Sequence, residues 1–489
     1  LAANMRAADD MRLAATGEAD LARRSGQARF DWQALRWPLG AEPAQVRSPT
    51  GNAQITGTAD DWRATLTATL VAAQMTTGAA KARTGSVEAR LHGSDRRADI
   101  DALDARVLDG RLHATGAVAW APALDWSASV QAQGFDPALL WPQWPGRVAG
   151  DIDARGSAGA AEIHVTRLGG SLRGRPLAGA GQVAWQPDRV QLSAVDLRLG
   201  SARLRAAGTA LGAGPPLVGT LDVPDAGDLL PAARGHLHAD WRVAGPGLTA
   251  ASVAIDGGDL AYGDVAAARV TGTFDIDRPA NRLGLRVDAP DVAVADQKLA
   301  LHATADGTAA DHVFDGTLTR NGAALDLRGR GSVLADGWHA RVEQGALRGA
   351  PPATWTLAGP LQLDLRRDVM TIERHCWRAG DARLCADGKR AADVLDVAAD
   401  MQSLPIAPLV ALRGDDVTVE GALDGHARLH RDAGALSGEL HLTAPPGAIV
   451  THTPDGVPRR FGHGGLRIDG QLAAQGGRLE AHLAQPEGS

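Results

Sequence analysis

The sequence is short of the residues that most folds are built around. Twelve Trp, five Phe and one Tyr make up only 4% of its 489 residues. There are two cysteines, Cys376 and Cys385, and three lysines, Lys81, Lys298 and Lys389. No apolar run approaches the roughly 18 residues that mark a membrane-spanning helix. No basic block appears and the formal net charge is −7, which argues against nucleic acid as a partner. The two cysteines have no second Cys/His pair to complete a zinc site, and no CxxC offers thiol chemistry. There is no GxSxG, P-loop, HExxH or helix-opening GxGxxG. Asp and Glu are scattered singly between apolar neighbours, as on a solvated sheet face. These gaps leave a chain expected to be no enzyme and to need no cofactor. Its length exceeds one ordinary core, so several domains or a repeat array are expected.

What is present is alternation with period two. Val195-Asp196-Leu197-Arg198-Leu199, Leu283-Gly284-Leu285-Arg286-Val287 and Leu361-Gln362-Leu363-Asp364-Leu365 each put apolar groups on one side and polar groups on the other. Turn pairs separate such runs: Gly200-Ser201, Pro187-Asp188, Asn321-Gly322, Asp109-Gly110. One unit recurs: RLGSARLRAAG (198–208) and RAGDARLCADG (378–388) agree at seven of eleven positions. A second repeat is GAVAWAP (116–122) against GQVAWQP (181–187). The expected fold is mostly β: a long, repetitive, mainly antiparallel sheet curled into a groove, a β-taco or open solenoid, with a few short helices. It is read as one continuous region over 1–489, with sub-modules at 1–134, 135–223, 224–402 and 403–489. Clustered Leu with Pro at 135–144, 224–235 and 403–414 predicts the short helices that open the later modules, and 444–465 is the most loop-like stretch. Curved strands of roughly 20–25 residues would give about 20 strands, spaced by about 4.8 Å.

The cysteines fall in HCWRAGDARLCADG, residues 375–388. With Gly380-Asp381 as a two-residue hairpin turn, the pairs run outward to set Cys376 opposite Cys385. Non-hydrogen-bonded partners there come within roughly 4.5 Å between Cα atoms, inside disulfide range. A cross-strand disulfide is expected, with two unpaired buried thiols as the alternative. A persistent disulfide points to an oxidising compartment such as the bacterial periplasm. Trp377 and Leu384 form an apolar pair on the other face. His236 and His238 share a strand face without a third ligand, and His426 and His430 need not converge on a strand.

A sheet with one apolar face needs something to cover it. If no second sheet does, the face is a large apolar surface of the kind that marks function, and acyl chains fit it because apolar burial is non-directional. The expected groove lining is Leu197, Leu199, Leu204, Leu361, Leu363, Leu365, Trp377 and Leu384, with Arg198, Arg203 and Arg205 on the wet face.

LRWPLG (35–40), SPTGNAQITGTADDWRATL (48–66), TWTLAGPLQLDLRRDVMTIERHCWRAGDARLCADG (354–388) and SLPIAPL (403–409) resemble recurring segments of the TamB-type proteins, the inner-membrane subunit of the translocation and assembly module and relatives of the AsmA-like family. The resemblance runs over about 30–480. It implies a β-rich groove spanning the periplasm of a Gram-negative bacterium, with the full-length protein held in the inner membrane by an N-terminal helix outside this sequence. The chain, which opens at Leu1, would be a fragment of that longer protein. The implied partners are phospholipid acyl chains and an outer-membrane barrel partner, the latter met through regions beyond this sequence. The implied role is outer-membrane biogenesis, by phospholipid transport or by support of protein secretion and autotransporter assembly, without catalytic residues. A scaffold that templates β-rich proteins by β-augmentation is the alternative, and a closed β-helix adhesin the third.

Overall fold

Alternating apolar and polar residues between turn pairs produce strands almost everywhere. The computed structural model describes residues 2–6, 11–37, 46–71, 84–139, 141–245, 249–295, 297–350, 353–406, 417–452 and 458–485. They hold 35 β-strands, most of nine to thirteen residues. The strands are thus half as long and more numerous than the sequence suggested. Turn pairs such as Gly200-Ser201 and Asn321-Gly322 close hairpins, so 20–25 residues make an up-and-down pair rather than one strand. Gly380, at φ 61°, and Asn321, at φ 49°, each take the left-handed conformation that such turns require.

The chain divides into two units, Leu1–Thr249 and Ala250–Ser489. In the first, sixteen strands from Ala2–Arg6 to Ala233–Ala244 each pair antiparallel with the next in sequence. Among the described residues its first and last strands do not pair, so the sheet is open and not a barrel. The second unit is built as a similar meander, with two departures. Gly337–Arg348 is partnered by two short strands, Trp355–Leu357 and Leu361–Arg366, instead of one. A small second sheet is formed by Val417–Val419, Gly447–His452 and Pro458–His463. Two of its strands therefore lie in the stretch 444–465 that reads as loop.

The predicted helices are reduced to single 3-10 turns, Pro137–Leu139 and Ala226–Asp228, and no α-helix occurs among the described residues. In the third segment, residues 403–405 finish the strand Val394–Pro405, and 407–414 lie outside the described residues. Proline and a side-chain cap leave room for only one turn. Asp225 accepts from the Gly227 amide at 2.9 Å. Asp228, 3% exposed, accepts from the amide and hydroxyl of Ser201 at 2.5 and 2.7 Å and meets Arg175 Nε at 2.9 Å. This carboxylate fastens the turn to the hairpin at Gly200-Ser201. Burial pushes its carboxyl up, but the Ser201 bonds and the Arg175 guanidinium outweigh burial and leave it below the usual carboxylate range.

Many of the strand pairings contain a β-bulge, with register shifts at Ile100/Leu103, Val165/Leu168, Leu192/Val195, Ile372/His375 and Met401/Leu404 among others. Ala194 and Ser403, both at φ 49°, sit in such bulges. Each bulge bends its strand and sharpens the local twist, which is how a sheet acquires curvature.

Five of the aromatics share one use. Trp32 lies directly across from Gly51, Trp62 from Gly93, Trp126 from Gly156, Trp241 from Gly219 and Phe314 from Gly329. In each case a Cβ on the glycine would intrude on the ring. The ring covers bare backbone on the next strand, so each of these five rings is matched to a glycine.

Apart from such pairs the sheet has little core. No large side chain among the described residues is fully buried, and the accessible surface is 30186 Å². A compact monomer of 50.6 kDa would expose about 17,000 Å². The two apolar clusters are small: Trp355, Ala379 and Ala382, and Ile406, Leu423 and Ala444.

Two outcomes are expected. Gly219→Ala forces Trp241 off the neighbouring strand and costs about 1–3 kcal/mol. Hydrogen exchange should lose protection in Leu217–Val223 and Ala233–Ala244, while strands several rungs away keep theirs. Asp228→Asn removes a buried anion and costs about 1–3 kcal/mol. Because the native carboxyl titrates below its unfolded value, this contribution is present above the unfolded pKa and is lost as pH falls through the lower native one. The Ser201 amide of the wild-type chain should therefore become less protected only in strong acid, and that of the variant already at neutral pH.

Candidate functional site: the apolar face

Directly opposed residues on paired strands share a face. One such row can be followed through the first unit: Leu13, Trp32, Gly51, Ala68, Val87, Ala105, Leu112, Ala132, Gly150, Leu168, Gly179, Leu197, Leu204, Leu221, Ala239. It crosses fifteen strands without a polar side chain. At about 4.8 Å per strand the row runs on the order of 70 Å along the sheet. A parallel row beyond the bulges reads Gly17, Ala28, Ile55, Ala64, Leu91, Ile100, Gly116, Ala128, Ala154, Ile163, Val183, Leu192. One residue away from the first row the chemistry inverts: Asp31, Asn52, Thr67, Glu88, Asp104, His113, Gln131, Asp151, Arg167.

The second unit repeats the pattern. Its row runs Ala251, Ile276, Leu283, Gly307, His312, Gly331, Ala340, Leu363, Ile372, Gly388, Val397, Leu429, Gly438, Leu472, Gly477. His312 is its one polar side chain. It is 3% exposed, accepts from Trp338 Nε1 at Nε2 (2.8 Å) and donates from Nδ1 to the Thr308 carbonyl (3.1 Å). The two bonds together specify the neutral tautomer protonated at Nδ1. Near the C-terminal end of the sheet, Val397, Leu429, Leu440, Leu472 and Leu479, with Gly438, Gly470 and Gly477 between them, line an apolar trough of about 420 Å³.

The eight residues singled out from the sequence as groove lining all fall on this face. Leu197 and Leu204 are partners in the first row, and Leu199 lies beside them between Leu177 and Ala202. Leu361 opposes Val342, Leu363 opposes Ala340 and Ile372, and Leu365 opposes Trp338 and Met370. Trp377 opposes Leu357 and Leu384, and Leu384 opposes Met401. All eight are half-buried. Arg198 and Arg205 are exposed on the other face, and Arg203 there holds Asp196 in an ion pair.

The opposite face is a lattice of paired charges. Register partners Asp104 and His113, Asp222 and His238, Asp364 and His339, and Asp469 and His441 are hydrogen-bonded at 2.9, 2.6, 2.9 and 2.7 Å. Asp222 and then Asp240, on either side of the ring, raise the His238 imidazole above its ordinary value. His236 does not join it, His430 turns to Asp396 rather than to His426, and no metal-ligating cluster occurs among the described residues. Cys376 and Cys385 lie on this polar face, opposed in register with Cα atoms 4.0 Å apart and joined as a disulfide. Their row continues to Asp400 and His426.

Sequence reasoning missed the glycine that each aromatic covers and the place of His312. The signal for the first was present as Gly-rich alternation, but which glycine opposes which ring depends on register. Among the described residues the face offers apolar area, with no convergent donors and no nucleophile.

A family described as TamB, N-terminal domain, matches residues 1–485.

Two measurements check this geometry. Peptide mapping without reductant should recover Cys376 and Cys385 as one cross-linked pair. In an NMR titration, His238 should titrate above the ordinary value of about 6.5, and Asp222→Asn should lower it. Its pairing then stabilises the fold fully below the unfolded value, and this contribution is lost as pH rises through the native one.

Proposed function

The chain belongs to the TamB family, and from that premise we propose that it is a non-enzymatic conduit of the bacterial envelope whose apolar face carries phospholipid acyl chains between the two membranes. The observation that carries this reading is the row from Leu13 to Ala239, apolar at every strand. Each methylene laid against such a surface gains about 0.8 kcal/mol. The gain is nearly the same at each rung, so a chain can be held without being trapped at one place. Small residues in the row, Gly51, Ala68, Ala105, Ala132, Gly150 and Gly179, keep the surface low enough to leave room for a guest. The lining then includes Leu197, Leu199, Leu204, Leu361, Leu363, Leu365, Trp377 and Leu384.

The setting follows from the same reading. The Cys376 to Cys385 disulfide suits the oxidising periplasm. Among the described residues no helix is long and apolar enough to cross a membrane; in a periplasm-spanning conduit this stretch would lie between the membranes, anchored by other parts of the protein. An outer-membrane barrel partner would meet regions other than these. A second reading, a scaffold for outer-membrane protein assembly, secretion and autotransporter biogenesis, draws on the strand Gly476–Ala484, whose Leu479 and Leu483 are 69% and 56% exposed.

Photocrosslinking in cells separates the two. A probe at Leu204 should yield phospholipid adducts and a probe at the neighbouring, outward Arg205 should not. Adducts to passenger or barrel polypeptides at Leu204 would favour the scaffold. No adduct at Leu204 would remove the conduit. Leu204→Asp, which puts a charge into the row, should reduce copurifying phospholipid at least several-fold.

A further inference from the structure

The polar face carries a feature that lipid transport does not use. In the first unit a cleft of about 700 Å³ opens over strands from Gly110–Ala119 to Arg189–Leu199. Its polar walls are register partners: Thr115, Ser129, Asp153, His164, Gln182 and Ser193 form one ladder. The neighbouring ladder adds Ser127, Arg155 and Glu162. The sheet backbone at Gly116, Ala128 and Ala154 forms the floor, where small side chains turn to the other face.

A depression alone would mean little, because the polar face of the second unit has one of about 660 Å³. That one is filled with satisfied charges: His430 holds Asp396 at 2.6 Å, and Arg428 holds Glu439 at 3.1 Å. The first-unit cleft differs in its bonding. Six histidines elsewhere are hydrogen-bonded to the aspartate directly across from them: His113, His238, His302, His339, His430 and His441. His164 faces Asp153 in the same register yet makes no such bond; His426 makes none to Asp400 either, but that aspartate is held by Arg374 at 2.5 Å. Asp153 instead accepts from the Ser129 hydroxyl at 2.6 Å and has no cationic partner. Among the described residues the side chains of His164, Gln182, Ser193, Thr115 and Ser127 have no protein hydrogen-bond partner at all.

We propose that this cleft binds a neutral saccharide chain. Its free groups are hydroxyls, an amide, an imidazole and one carboxylate oxygen, the mixed donors and acceptors that match sugar hydroxyls. Charge speaks against an anionic guest: Arg155 is taken up by Glu162 at 2.8 Å, which leaves Asp153 as the unbalanced charge. The ladder repeats at about 4.8 Å per strand, so an extended ligand meets similar groups along its length. The apolar row lies on the opposite face, so a saccharide and a lipid guest would not compete.

The test uses the whole chain with two probes, maltotetraose and chitotetraose, in saturation-transfer difference NMR. Transfer to at least one oligosaccharide is expected. It should fall at least five-fold in His164→Ala/Gln182→Ala and stay unchanged in His430→Ala, which alters the other depression. All three positions are exposed, and circular dichroism should show the same strand content in each protein. Transfer to neither oligosaccharide overturns the proposal, as does transfer that the double variant leaves intact. Equal transfer to a Gly-Ser peptide of similar size would mark a peptide groove and overturn it as well.

Discussion

Everything in this protein depends on backbone register. A strand turns successive side chains to opposite sides, so a slip of one residue exchanges the faces. With thirty-five strands among the described residues, one error would place Asp31, Glu88 or Asp104 into the row now held by Trp32, Val87 and Ala105. Two devices hold the register. Tight turns such as Gly380-Asp381 fix each hairpin locally. Bulges at mid-strand absorb the extra residue where the strand bends, and both arms keep their apolar groups on one side.

The second consequence is a protein stabilised by neighbours rather than by a centre. Each strand touches the strands beside it, and most burial is partial. Stability of such arrays is close to a sum of local terms, as in repeat proteins. The rings over glycines belong to this economy: Trp241 on Gly219 joins two strands and leaves the rest of the face low. Where a fuller cluster forms, at Trp355, Ala379 and Ala382, it lies beside the split rung and the disulfide hairpin. Ordinary pairing is interrupted there, and side-chain packing and a covalent link supply what the missing ladder does not.

The two faces solve different problems. The polar face must be soluble and must hold together without a layer behind it. Its cross-strand Asp/His and Asp/Arg pairs tie rungs laterally, each contributing little because it is exposed. The apolar face is only partly covered, and small residues in the rows keep it low. A single polar group is admitted to the row followed through the second unit, His312, and its two ring nitrogens are both satisfied within the protein.

Much of this was legible in the sequence because it is local. Period-two alternation gives two faces whatever the neighbours are, so Leu197, Leu204, Leu363 and Trp377 could be assigned to the apolar side before any pairing was known. The turn at Gly380-Asp381 likewise set Cys376 across from Cys385 by counting outward. Strand length was misjudged because alternation continues through a turn pair, and only hairpin closure shows where one strand stops. The 3-10 turns looked helical because Leu and Pro clusters do not reveal that Asp228 would be drawn into the Ser201 hairpin 27 residues earlier. Which ring covers which glycine, which aspartate each histidine meets, and why His164 is left open were decided only in three dimensions. Those outcomes depend on register summed over many hairpins and bulges, a non-local quantity that no single stretch of sequence contains.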